Sequence, residues 1–202
     1  MRSLTAFALI VVLAPSPSTA TPGAGAPRGW VLLGPADAYS AGVDSAERHS
    51  GHGSGLLECT VWDVEVFGTL MQTLRADAYR GQRLRLSGYL RTRDVEGSAR
   101  MWLRVDGPDT SPIAMDNMAK RPVRGNTEWS RYEIVLDVPA VAVQVAYGAI
   151  LGGKGRLWVD DLRLEVVGND VPSTDMHMPA VPTKTAVPPD LPSQPVNAGF
   201  EE

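Results

Sequence analysis

The stretch Arg83-Leu84-Arg85-Leu86-Ser87-Gly88-Tyr89-Leu90 decides the fold. Leu84, Leu86 and Gly88 stand at every second position, with Arg83, Arg85 and Ser87 between them. A period of two gives an extended strand one apolar face and one polar face, whereas a helix needs apolar positions three or four apart. The rhythm recurs in both directions along the chain. Met101, Leu103 and Val105 alternate with Trp102, Arg104 and Asp106, and Tyr132, Ile134, Leu136 and Val138 with Arg131, Glu133 and Asp137. Val141, Val143, Val145 and Tyr147 form another row, and Leu157, Val159, Leu162, Leu164 and Val166 a last one. The last row slips phase at Asp160-Asp161, which predicts a β-bulge.

Turn signals separate the rows: Tyr79-Arg80-Gly81-Gln82, Asp106-Gly107-Pro108, Arg124-Gly125-Asn126 and Leu151-Gly152-Gly153-Lys154-Gly155. About eight short strands at regular spacing predict an all-β, two-sheet antiparallel β-sandwich of the jelly-roll kind. No segment of real length carries a helical period. Thr69 to Tyr79 is the one ambiguous stretch, and its first part reads as a strand.

The organisation around this block follows from composition. Arg2, the apolar run Leu4 to Ala14 and the small residues Ser18-Thr19-Ala20 have the order of a signal peptide, too short to span a bilayer. Residues 1–20 are thus read as a signal peptide, residues 21–28 as a flexible leader and residues 29–167 as the sandwich. Gly168 to Gln194 is rich in proline and reads as a linker, with 195–202 as a C-terminal strand able to dock on the sandwich. This predicts an exported protein, periplasmic or secreted, with no membrane insertion after cleavage. A net charge of -4 argues against a nucleic-acid partner. The single cysteine, Cys59, has no intrachain partner and reads as a buried thiol.

Four patterns together resemble jelly-roll domains of the carbohydrate-binding-module, galactose-binding-like type. They are Trp30…Tyr39-Ser-Ala-Gly-Val-Asp44…His49-Ser-Gly-His-Gly-Ser54-Gly-Leu56, Tyr79 to Leu90, Trp129-Ser-Arg-Tyr132, and Gly155-Arg-Leu-Trp158-Val-Asp160-Asp161. Such domains usually open with a strand like Asn-Leu-x-Phe-Glu just before the first tryptophan. Here Ala26-Pro27-Arg28-Gly29 stands there, and the matching element is Asn197-Ala198-Gly199-Phe200-Glu201 at the far end. The resemblance implies an exported non-catalytic binding module for carbohydrate. The alternative is a structural or protein-interaction sandwich, with another protein as partner. No Gly-x-Ser-x-Gly elbow, His-Glu-x-x-His or phosphate loop occurs, and a hydrolase trails behind both.

Two sets of residues are candidates for sites. Tyr89, Trp102 and Arg104 lie on the polar phase of their strands, where they would line one open sheet face with Gln72, Arg91 and Asn117. Trp62 and Trp129 also fall near strands. Met115 to Val123 is either a loop over that face or a connection pinned by Met115 and Met118, with Asp116 and Asn117 capping turn amides. Asp160 and Asp161 are adjacent acids in an apolar strand, and one of them must face inward unless paired or bound to a cation. The resembled family often holds a structural calcium, which carries over to Asp160 or Asp161, Glu47, backbone oxygens near Ser50, and Glu201. The competing reading is an aspartate that caps amides beside the bulge. His49 and His52 read as part of a solvated turn.

Overall fold

A computed structural model describes residues 25–61, 67–175 and 188–202. The expected signal peptide and Trp62 lie outside these residues. The described residues hold no helix and form β1 (Val31–Leu33), β2 (Tyr39–Asp44), β3 (Ser54–Cys59), β4 (Phe67–Arg75), β5 (Gln82–Asp106), β6 (Pro112–Asp116), β7 (Val123–Val138), β8 (Gln144–Gly152) and β9 (Gly155–Val167). All pairings are antiparallel.

β5 runs for 25 residues and serves two sheets. Its first half lies between β7 and β9, giving a first sheet in the order β7-β5-β9-β3-β2. Its second half lies between β6 and β8, giving a second sheet in the order β6-β5-β8-β4-β1. The strand turns the corner at residues 94–97. Asp94 has φ 54 there, and a Cβ on Gly97 would stand 2.1 Å from the Gly152 carbonyl oxygen, so the corner admits only glycine. The alternation flips at this corner. Leu84, Leu86 and Leu90 point inward before it, and Ala99, Met101, Leu103 and Val105 after it. The inner faces of both sheets share one core, as a β-sandwich jelly roll requires.

The phase slip in β9 is a bulge. Ser87 pairs with Arg163 but Tyr89 with Asp160, so β9 carries one extra residue, and Asp161 sits at φ 51. Gly88 faces the bulge because Leu162 packs over it; a Cβ there would lie 2.5 Å from Leu162 Cδ2. Cys59 is buried and free.

The C-terminal residues form turns rather than a strand, and they lie on the sandwich. Phe200 is fully buried, its ring stacked on Trp30 at 4.7 Å. The Trp30 indole donates to the Asn197 carbonyl at 3.0 Å, and Leu162 N–H donates to the Ala198 carbonyl at 3.1 Å. Gly55 leaves the space for Phe200; a Cβ on it would meet the ring at 2.5 Å. Further upstream, Thr174 N–H donates to the Val135 carbonyl at 2.8 Å, and Arg75 N–H to the Pro192 carbonyl at 2.9 Å. The proline-rich stretch is therefore tied to the sandwich at both of its described ends.

Candidate functional site

The corner in β5 separates the residues that the sequence placed on one face. Tyr89 and Arg91 lie on the outer side of the first sheet, and Trp102 and Arg104 on the outer side of the second. Gln72 lies on neither. Leu70 and Leu74 flank it on the inner side of β4, and its amide accepts from Tyr147 Oη at 2.9 Å and from Val196 N–H at 3.1 Å. Burial pushes the Tyr147 hydroxyl pKa upward, so it stays a neutral donor. Asn117 accepts from Ala119 N–H, and Asp116 from Met118 N–H. Met118 is fully buried, so this segment is a capped connection rather than a wall of a ligand face.

The outer side of the first sheet is covered by its own loop. The His49 ring stacks on Tyr89 at 3.5 Å, meets Trp129 edge-on at 6.0 Å, and bonds to Asp161 at 2.8 Å. The ring packs on one face while residues 48–52 around it stay exposed, as a solvated turn does. Arg91 beside it holds Glu47 and Glu128.

The outer side of the second sheet is built differently. Trp102 stands opposite Gly148 on β8, and its indole donates to Thr69 Oγ1 at 3.0 Å. Thr69 in turn donates to the Ala149 carbonyl at 2.9 Å. Trp102, Ala146 and Ile150 are buried in a small cluster apart from the main core, Trp102 being 5% exposed, with Met71 packed against them half-buried. The Arg104 guanidinium lies over the indole, 5.9 Å from its centre. Arg104 Nε also pairs with Asp106 Oδ1 at 2.8 Å, and Gln144 Nε2 donates to Asp106 Oδ2 at 2.6 Å. Asp106 is fully buried and Gln144 only 7% exposed, yet Gln144 Oε1 has no hydrogen-bond partner. A buried polar atom left unmade costs about 1–3 kcal/mol, so this acceptor, opposite Asp106 and four residues along β8 from the Gly148 that faces Trp102, takes a donor such as water or a ligand hydroxyl. Asp106 and Gln144 were missed in the sequence because Asp106-Gly107-Pro108 reads as a turn. The signal was the unbroken polar row Arg100, Trp102, Arg104, Asp106 on alternate positions.

The acids assigned to calcium do not converge into an oxygen cage. Asp160 is fully buried and accepts backbone N–H groups from His49, Ser50 and Asp161 at 2.8, 3.0 and 2.7 Å. Asp161 accepts from His49 Nδ1 and Ser50 Oγ at 2.8 Å each. Glu47 pairs with Arg91, and Glu201 accepts from His52 N–H at 2.8 Å. No group of three or more His, Cys, Asp or Glu among the described residues is arranged to hold a metal. A melt with EDTA and with millimolar calcium decides between the two readings: a calcium-dependent rise in melting temperature supports the ion, and an unchanged one supports the capping aspartate.

No family model matches this chain. It is 40% identical over 177 residues to YbfP, an uncharacterized HTH-type transcriptional regulator of Bacillus subtilis. The match takes in 87% of this chain but 57% of that relative, so the chain spans little more than half of the relative's length. Among solved structures, it resembles the enzymatically active domain of tailspike protein 4 of bacteriophage CBA120. The TM-score is 0.55 at 14% identity, covering 69% of this chain and 20% of that one. It also resembles the xylan-binding domain of Xyn10C from Paenibacillus barcinonensis, at TM-score 0.52 and 14% identity over 72% of this chain and 90% of that one. A Stig cyclase from Fischerella matches at TM-score 0.50 and 15% identity, over 69% of this chain and 85% of that one. At such identities the structures speak for the fold alone: a β-sandwich of the kind found in carbohydrate-binding modules. The regulator overturns the expected exported binding module. A regulator of transcription works on DNA, and a relative of that description at 40% identity does not fit a secreted or periplasmic protein. The export reading is accordingly withdrawn.

Proposed function

We propose that this chain is the ligand-sensing β-sandwich of a transcription regulator, and that it takes a small hydroxyl-rich molecule on the outer side of its second sheet. The observation that carries this reading is the 40% identity to a regulator across a stretch whose described residues hold no helix. A helix-turn-helix reads DNA with a helix in the major groove. The DNA-reading unit then belongs to the remaining length of the relative, and the sandwich supplies the signal. The ligand chemistry rests on Trp102, Arg104, Asp106 and Gln144. Sugars lie on indole faces through their C–H groups, while planar side chains read their hydroxyls. A ligand hydroxyl donating to Gln144 Oε1 satisfies the orphan acceptor, and its ring takes the place of Arg104 over Trp102. The xylan-binding neighbour of the same fold supports this class of ligand.

The test has two arms. A panel of mono- and disaccharides is screened by thermal melts of the full chain and of Gln144→Met. One saccharide is expected to raise the melting temperature of the wild type and not of the variant; no shift with any of them removes the ligand reading. Transcripts are then compared between cells with wild type and with Gln144→Met. A confined set is expected to change, and identical profiles would remove the regulatory role.

A further inference from the structure

Arg100 opens the polar row of β5, two residues before Trp102 and on the same outer side, with Ile150 opposite it on β8. On the other side of β5, Ala99 pairs with Val123 of β7. Both point into the core, so Arg100 and Arg124 point outward as diagonal neighbours, roughly 7–8 Å apart at the backbone and within reach of each other's side chains. Several other arginines hold a carboxylate closely, Arg83 with Asp137, Arg91 with Glu47, Arg121 with Asp116 and Arg156 with Glu58, and those that hold none among the described residues, such as Arg93 and Arg163, are exposed. Arg100 and Arg124 hold no carboxylate among the described residues. Arg100 is half-buried, and its Nε is shielded from solvent with no acceptor. Two neighbouring guanidinium groups with no anion between them among the described residues repel each other, and half-burying one deepens the cost.

We infer that Arg100 and Arg124 form an anion subsite that receives a carboxylate or phosphate group carried by the ligand of the second sheet. This rests on the ligand face proposed above and narrows its occupant to an acidic sugar or a sugar phosphate. The planar fork of a guanidinium matches two oxygens of either group, and a charge-assisted pair of bonds is about twice as strong as neutral ones. Burial and the nearby Arg124 charge both push the Arg100 pKa down, as expected of a cation waiting for a counter-charge.

The experiment is calorimetric titration of the full chain with a hexuronate, a hexose phosphate, the matching neutral hexose and inorganic phosphate. Wild type, Arg100→Gln, Arg124→Gln and, as control, Arg163→Gln on the first sheet are compared. The hexuronate or the hexose phosphate is expected to bind more tightly than the neutral sugar, and which of them does so separates the two sources of the anion. Arg100→Gln should weaken that binding at least about tenfold, Arg124→Gln less, and Arg163→Gln not at all. Without ligand, Arg100→Gln should melt no lower than wild type, since it removes an unpaired charge; a purely structural arginine would lower it. The inference is overturned if no anion binds, or if Arg100→Gln binds the anion as well as wild type. Neutral sugars that bind and lose affinity in Gln144→Met would then leave the ligand face standing without its anion subsite.

Discussion

Phe200→Ala is expected to destabilise the protein by about 3–5 kcal/mol, the range for deleting a buried aromatic ring. The ring is fully buried between Trp30 and the bare backbone of Gly55, so its loss leaves a void that neither neighbour can close. The fixed partners make the loss compound. With the ring gone, the Asn197 and Ala198 carbonyls lose the anchor that holds them against the Trp30 indole and Leu162 N–H. Phe200 and Asn197 also sit at φ 56 and 48, backbone values that persist only while the contact holds them. Urea unfolding of the two proteins measures the difference. Phe200→Leu, which keeps apolar volume, should fall between them. An unchanged midpoint for Phe200→Ala would mean that residues 196–200 do not rest on Trp30 in solution.

Asp160→Asn comes second, at about 2–3 kcal/mol, the loss for hydrogen bonds to a charged acceptor. One carboxylate oxygen serves His49 and Ser50 and the other serves Asp161. An amide keeps one oxygen and turns an NH₂ toward N–H groups, so at least one donor is orphaned. The loop clamped over Tyr89 should loosen first, seen as faster hydrogen exchange at residues 47–53. Protection equal to wild type would show that the loop is held without this acid. The neighbouring acids titrate with opposite signs. Burial raises the pKa of Asp160 despite its three amide donors, so its ionised form is a burden that eases as pH falls. Asp161 is lowered: burial works against its charge, but the bonds from His49 and Ser50 outweigh it. Its stabilisation is present above the unfolded carboxyl pKa of about 4 and disappears as pH drops through the lower folded value.

The fold was legible because burial in a sandwich imposes a period of two, which Leu84, Leu86, Ile134, Leu136, Leu157 and Val159 display without help from context. The bulge was legible for the same reason, since one extra residue must break the phase. The site was less so. Alternation tells which side of a strand a residue takes, but not which sheet the strand belongs to. β5 changes sheets at Asp94–Gly97 and flips phase there, so Tyr89 and Trp102 share polar phase and share no surface. Gln72 misled for another reason. It is a polar residue in an inward position, made tolerable by two partners far away in sequence, Tyr147 and Val196. Arg100 could not be singled out among 19 Lys and Arg from the sequence, because its half-burial and its shielded Nε depend on the packing around it.

The meeting of Trp30 with Asn197, separated by 167 positions, also bears on how the protein is made. A ribosome releases the chain from its first residue onward, so all strands of both sheets emerge before the ring that seals them. Until then the slot beside Gly55 and Trp30 stays open as an apolar surface on an otherwise finished sandwich. Closing it joins positions 167 apart, which slows the final step. The nascent domain is therefore most exposed to aggregation, and most attractive to chaperones, in the interval between completing β9 and synthesising Phe200.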